Sequence, residues 1–157
     1  MRDPEPVGAG PALFSVVRFW SRRWALRPAG APEGEERHAR AIMVLEAVAT
    51  TAQASEDVSV SDVAHQLGID HSGASRFVTA VVDDGYLRRT ASATDRRRAA
   101  LTITPAGNRL LADARAWQEE VFTRLTADWD RADAAQFADH LRRLAGQLAR
   151  SVAPEGD

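Results

Sequence analysis

Between Val58 and Thr104 the chain reads VSVSDVAHQLGIDHSGASRFVTAVVDDGYLRRTASATDRRRAALTIT, and no other stretch limits the fold so tightly. Two short helical patterns stand on either side of a tight LGI turn. Ser61 suits the N-cap of the first, SDVAHQL, with Asp62 favourable in its first turn. Val63, Ala64 and Leu67 form its inward face. Gly68 fits the positive-φ residue that closes a helix. Asp70 or Ser72 caps the second helix, which the pattern carries to about Asp84. Its inward stripe is Ala74, Phe77, Val78 and Val81, and Gly85 stops it. Tyr86 to Thr90 and Arg98 to Thr104 then read as antiparallel strands around the polar tip SATDRRR.

The flanks are helical. Leu13 to Leu26 has apolar residues at helical spacing, and the run RPAGAPEGEE breaks it. A second helix is expected from about Arg37 to Thr50, with Ala41, Val44, Leu45 and Val48 inward. The polar run TTAQASED links it to the central module, where a short strand should precede the first of the two short helices. Thr104 at an N-cap and Pro105 at the first helical position start a long helix with Leu110, Leu111, Ala114, Trp117, Val121, Phe122 and Leu125 on one side. Asp133 with Gln136 reads as a capping box for a last helix carrying Phe137, Leu141, Leu144 and Leu148.

The expected fold is therefore mainly α with a small β-hairpin wing. Residues 58–104 form a winged helix-turn-helix, a module that sets one helix into a DNA major groove. Residues 11–50 and 105–150 form a helical frame around it, making one domain over 11–150. Residues 1–10 are expected as a disordered tail and 151–157 as a flexible one. The frame carries more apolar surface than a small winged module needs, which a homodimer interface would use.

Charge and composition remove several alternatives. The formal net charge is −2, so any nucleic-acid contact must come from a local basic patch. All 20 basic residues are arginine, and there is no cysteine for a disulfide, a thiolate metal site or a redox switch. His38, His65, His71 and His140 show no ligand spacing, so no metal or other cofactor is expected. No phosphate-binding glycine loop, HExxH or nucleophile elbow is present, and Asp83-Asp84 reads as a solvated helix end, so no enzyme is expected. No apolar run is long enough for a membrane span, and the amino terminus lacks the plan of a signal peptide, which makes the cytoplasm the expected location.

The segments VSVSDVAHQLGIDHSGASRFVTAVVDDGYLRR and TDRRRAALTITPAG resemble the MarR family of bacterial transcription regulators. The resemblance is clearest from Val58 to Gly107. Its most specific part is the wing pair Asp95 and Arg97, followed by Leu-Thr-x-Thr-Pro-x-Gly. The chain departs from the family pattern at Ala80, Val82, His71 and Gly73, so Arg76 is the only arginine of the second helix.

The resemblance implies a sequence-specific double-stranded DNA-binding regulator, a repressor, acting as a homodimer on a near-palindromic operator. Recognition helix 72–84 would enter the major groove and wing 91–98 would lie on the minor groove or backbone. An arginine can bridge guanine O6 and N7, and serine or threonine can reach several base edges. Ser72, Gly73, Ser75, Arg76 and Thr79 are the candidate groove residues, and Ser61 is a candidate phosphate contact. Arg96, Arg97 and Arg98 suit the minor groove or phosphates, while Asp95 would shape the wing by holding Arg97. The family also implies a small aromatic or phenolic anion as effector, for which Trp20, Arg23, Trp24 and His38 are the candidates. The alternative function is a winged module for protein contacts without DNA.

Overall fold

The computed structural model describes residues 8–25, 33–55, 57–91 and 99–151. The chain forms two compact units, residues 1–37 and 38–157. Helix α1 (Ala9–Ala25) lies in the first. It begins inside the segment expected as a tail: Gly8 forms a turn and its carbonyl accepts from the Ala12 amide. Pro11 is no obstacle, because the first turn of a helix leaves its amides unbonded. Leu13, Phe14 and Val16 of α1 are exposed.

Helix α2 (Glu33–Thr51) starts four residues earlier than the pattern suggested. Glu36 places negative charge near the positive end of its dipole, which helps to offset the poor helix propensity of Gly34. Then follow α3 (Val60–Leu67), α4 (His71–Asp83), β1 (Leu87–Ala91), β2 (Ala99–Ile103), α5 (Pro105–Leu125) and α6 (Arg131–Ser151). The strands pair antiparallel, Leu87 opposite Ile103 and Arg89 opposite Leu101.

The core of the second unit is small and aliphatic. Ala41, Val44, Leu45 and Val48 of α2 meet Val63 of α3, Ala74, Val78 and Val81 of α4, Leu87 and Leu101 of the hairpin, and Leu111 of α5. Phe77, expected inward, is only half-buried, with the Arg40 guanidinium 4.8 Å from its ring centre.

Two expectations are corrected here. Among the described residues no strand precedes α3. Only three residues separate the turn ending near Ser55 from the start of the next cap, so the pairing reduces to one hydrogen bond, Leu101 N–H to the Val58 carbonyl at 2.7 Å. The last helix is not capped at Asp133. It starts at Arg131, where the Asp130 carboxylate accepts from the Ala132 amide at 2.7 Å and the Asp130 carbonyl accepts from Ala134. Asp133 falls inside the first turn, where its charge still favours the helix dipole.

Helix α5 is docked on the unit by Leu111 and by a bidentate pair, Arg115 to Glu46 of α2 at 3.0 and 2.8 Å. The Glu46 carboxylate, by accepting these bonds, raises the Arg115 pKa above its ordinary value. The pair is half-exposed, so it contributes under about 1 kcal/mol, and Leu111 carries more of the docking. The bend into α6 is an aromatic elbow: Phe122 stacks on Phe137 with centroids 6.1 Å apart, and Trp129 leans on Phe137 at 5.2 Å.

Candidate nucleic-acid interface

The helix-turn-helix is set by three local devices. The first is a capping box at α3. The Ser59 hydroxyl accepts from the Asp62 amide at 3.3 Å, and the Asp62 carboxylate accepts from the Ser59 amide at 2.7 Å. Ser61 is therefore not the cap. The reciprocal pattern needs an acidic or amide residue three positions on, which Ser59 has in Asp62 and Ser61 lacks. Ser61 lies exposed in the first turn of α3. Ser59→Ala should lower stability by about 1 kcal/mol, and Ser61→Ala by less than about 0.5 kcal/mol. Urea denaturation of the two variants checks this, and equal effects would contradict the cap assignment.

The second device is Gly68, at φ 64°, which turns the chain as the Ile69 amide closes on the Ala64 carbonyl at 3.1 Å. The third is Asp70, the N-cap of α4. Its carboxylate accepts from the Gly73 amide at 2.9 Å and from the Ser72 hydroxyl at 2.5 Å. These bonds, the Ser72 hydroxyl first, hold the Asp70 carboxyl below its ordinary value. The stabilisation they bring is present above the ordinary carboxylate pKa of 3.8 and is lost as pH falls through the lowered value. Of the two candidate caps it is thus Asp70 that acts, with Ser72 as its partner. Gly73 is buried, and an added Cβ would stand 3.2 Å from the Asp70 carboxylate, so its lack of a side chain serves the cap.

Beyond the cap, α4 divides cleanly. Ala74, Val78 and Val81 are buried, Ser75 is half-buried, and Ser72, Arg76, Thr79 and Asp83 are exposed. Spacings of four, three and four residues put these last four along one face. That face offers two hydroxyls and one guanidinium, framed by carboxylates at Asp70 and Asp83.

A second guanidinium reaches it from outside the helix. Arg89 of β1 donates from Nη2 to Thr79 Oγ1 at 3.2 Å. The sequence reading did not single out Arg89 as a site residue. The signal was the period-2 alternation of LRRTA, which sets Arg89 on the strand face of buried Leu87 and Arg88 on the opposite one. What that face meets is decided by the packing of α4 on β1.

Asp95, Arg96, Arg97 and Arg98 lie outside the described residues, as do the side chains of Trp20, Arg23 and Trp24. His38 is exposed on α2, its ring edge-on to Tyr86 with centroids 6.0 Å apart. Among the described residues no group of three or more His, Asp or Glu side chains could hold a metal ion. No described helix is long and apolar enough to cross a membrane.

The hairpin is anchored to the frame by a clasp at the start of α5. Thr104 caps the helix by accepting from the Gly107 amide at 3.1 Å, and donates its hydroxyl to the Gly85 carbonyl at 2.6 Å. The Thr104 amide donates to the Tyr86 carbonyl at 3.0 Å. Gly107 packs directly on that carbonyl. The Thr-Pro-x-Gly sequence is thus a structural joint between the end of α4, the first wing strand and α5.

Comparison with known proteins agrees with this architecture. Residues 37–98 match the MarR family model. Among proteins of curated function, none matches the sequence. A MarR family protein from Bacillus stearothermophilus superposes with a TM-score of 0.63 at 12% identity, over 92% of this chain and 99% of that one. The transcriptional regulator Tm0710 from Thermotoga maritima gives 0.55 at 19% identity, over 94% and 99%. S. aureus MepR, solved as a complex with DNA, gives 0.55 at 15% identity, over 88% and 98%. The match over the helix-turn-helix and the likeness of fold along both flanks agree: residues 37–98 resemble the MarR family, and the chain shares its fold with these winged helix-turn-helix proteins.

Proposed function

We propose that this protein binds double-stranded DNA sequence-specifically as a homodimer and represses transcription from a near-palindromic site. The observation that carries the reading is the exposed line Ser72, Arg76, Thr79 on the face of α4 opposite the core, in a chain of the MarR fold. In this reading α4 lies in the major groove, Arg76 reaches a guanine edge or a phosphate, and Ser75 lines the approach. Ser61 at the start of α3 meets the backbone. Arg96, Arg97 and Arg98 lie along the minor groove or on phosphates, with Asp95 holding Arg97. The two recognition helices of a dimer then sit about 34 Å apart. A small aromatic anion as effector rests on the family resemblance together with the nearness of Trp20, Arg23 and Trp24 in sequence.

Binding to random and selected duplexes across a salt series tests the proposal. Affinity should fall linearly with salt on logarithmic axes. Arg97→Ala should weaken binding to all sequences and flatten the slope by about 1, whereas Arg76→Ala should also lower the ratio of specific to random binding. Absence of salt-dependent binding to any duplex at low ionic strength would leave the winged module as a protein-contact domain.

A further inference from the structure

Thr79 stands in the middle of the exposed line of α4, and its hydroxyl is held from outside the helix. Its Oγ1 accepts from the Arg89 guanidinium at 3.2 Å. Two other threonines, Thr123 of α5 and Thr126 at its C-cap, behave differently. They turn their hydroxyls back to the carbonyls of Glu119 and Phe122 at 2.9 and 3.0 Å. That back-bonding uses the only proton a hydroxyl has. Arginine has donors only, so at Thr79 it must occupy an acceptor position of the oxygen. The Thr79 proton then points away from Arg89, into one of the two positions left about the oxygen, which biases the hydroxyl toward donating to whatever covers the exposed face of α4.

We propose that Arg89 is a positioning residue for sequence readout: it sets the Thr79 hydroxyl as a hydrogen-bond donor, so that Thr79 selects an acceptor on the base edge it meets. The proposal rests on the DNA-binding reading above. In the major groove guanine offers N7 and O6, adenine offers N7 and thymine offers O4, whereas cytosine offers only the N4 amino donor. A threonine free to rotate can donate or accept and discriminates little. One with a lone pair already taken by a guanidinium has a single acceptor position left and is biased toward donating, which disfavours cytosine.

The arrangement is held by the fold. Arg89 shares a strand face with buried Leu87, and α4 packs on that strand. In water an exposed bond of this kind is weak. Groove closure removes the competing solvent and strengthens it. The remaining N–H groups of Arg89 are left for a neighbouring phosphate, which keeps the guanidinium in place over Thr79.

Selection of sites from a pool of random-sequence duplexes by the full-length protein and its variants tests the proposal. The wild type should enrich a motif in which one position of each half-site is depleted in cytosine by about tenfold. Thr79→Val and Arg89→Met should each relax that same position to near-equal base use and leave the other positions as they were. Thr79→Ser keeps the hydroxyl and should keep the preference. Arg89→Lys keeps the charge but not the planar fork, so it should retain affinity for random duplex while relaxing the position. Both sites are exposed, and a thermal melt of each variant checks the fold. Should Arg89→Met melt early, Arg89→Lys carries the comparison.

If Arg89→Met and Arg89→Lys bind every sequence more weakly with the wild-type motif intact, Arg89 is a phosphate contact and the proposal is wrong. A motif unchanged in Thr79→Val overturns it equally. A wild type that enriches no motif defeats the DNA-binding reading itself, which is a different result from either.

Discussion

Gly107→Ala is expected to lower the thermal midpoint by roughly 10 °C, although alanine is the better helix former by about 1 kcal/mol. Gly107 lies in the first turn of α5, and an added Cβ would stand 2.2 Å from the Tyr86 carbonyl oxygen and 2.9 Å from Ile103 Cγ2. The first neighbour is backbone and cannot rotate aside. Either α5 lifts from the hairpin or the Thr104 bonds to Gly85 and Tyr86 stretch. Overpacking of this kind costs about 3 kcal/mol, which exceeds the propensity gain. Gly34→Ala makes the opposite case: nothing lies within 4 Å of its Cβ, so the same exchange should leave stability level or raise it by up to about 1 kcal/mol. Circular-dichroism melts of both variants at one protein concentration decide the matter. A Gly107→Ala midpoint equal to the wild type would show that the joint yields and that α5 is not rigidly tied to the wing.

The second large effect is expected at the frame. Leu125 at the end of α5 is 63% exposed in the single chain, and Phe14 of α1 is 62% exposed. Placing glutamate at either should change the fold of the single chain by less than about 0.5 kcal/mol, since neither side chain is in its core. In a dimer that covers these side chains, the same carboxylates would be buried without partners, at a cost of several kcal/mol. Leu125→Glu should therefore sediment as a monomer at micromolar concentration where the wild type sediments as a dimer. Its affinity for a two-half-site duplex should fall by about 10²- to 10⁴-fold, because the second half-site is no longer tethered to the first. A wild type that is monomeric under these conditions would remove the dimer. A Leu125→Glu variant that stays dimeric would move the interface elsewhere on the frame.

The helix-turn-helix was legible because its signals are local. Gly68, the stripes Val63-Ala64 and Ala74-Val78-Val81, and the Thr104-Pro105 start all depend on residues within a turn or two of one another. Two of the errors were local too, and came from a competing cap. Ser59 displaced Ser61 because it alone has Asp62 at the right distance, and Asp130 displaced Asp133 because the helix began earlier. The core stripe of α2 was readable from its period. Its start was not, because the two prolines and two glycines in RPAGAPEGEE read as a helix break.

What the sequence determined by itself was the order of the helices and the two wing strands, and the faces of α2, α3 and α4 that turn inward, since both follow from periodicity and caps along one stretch of chain. What only the tertiary structure decided were the meetings between distant stretches. Arg89 reaches Thr79, ten residues away, because β1 packs on α4. Arg115 finds Glu46 across 69 positions. Gly107 is required because the Tyr86 carbonyl lies where its Cβ would be. Such contacts leave no periodic trace, because they depend on how packed elements are set against each other in space and not on the residues that neighbour them in the chain.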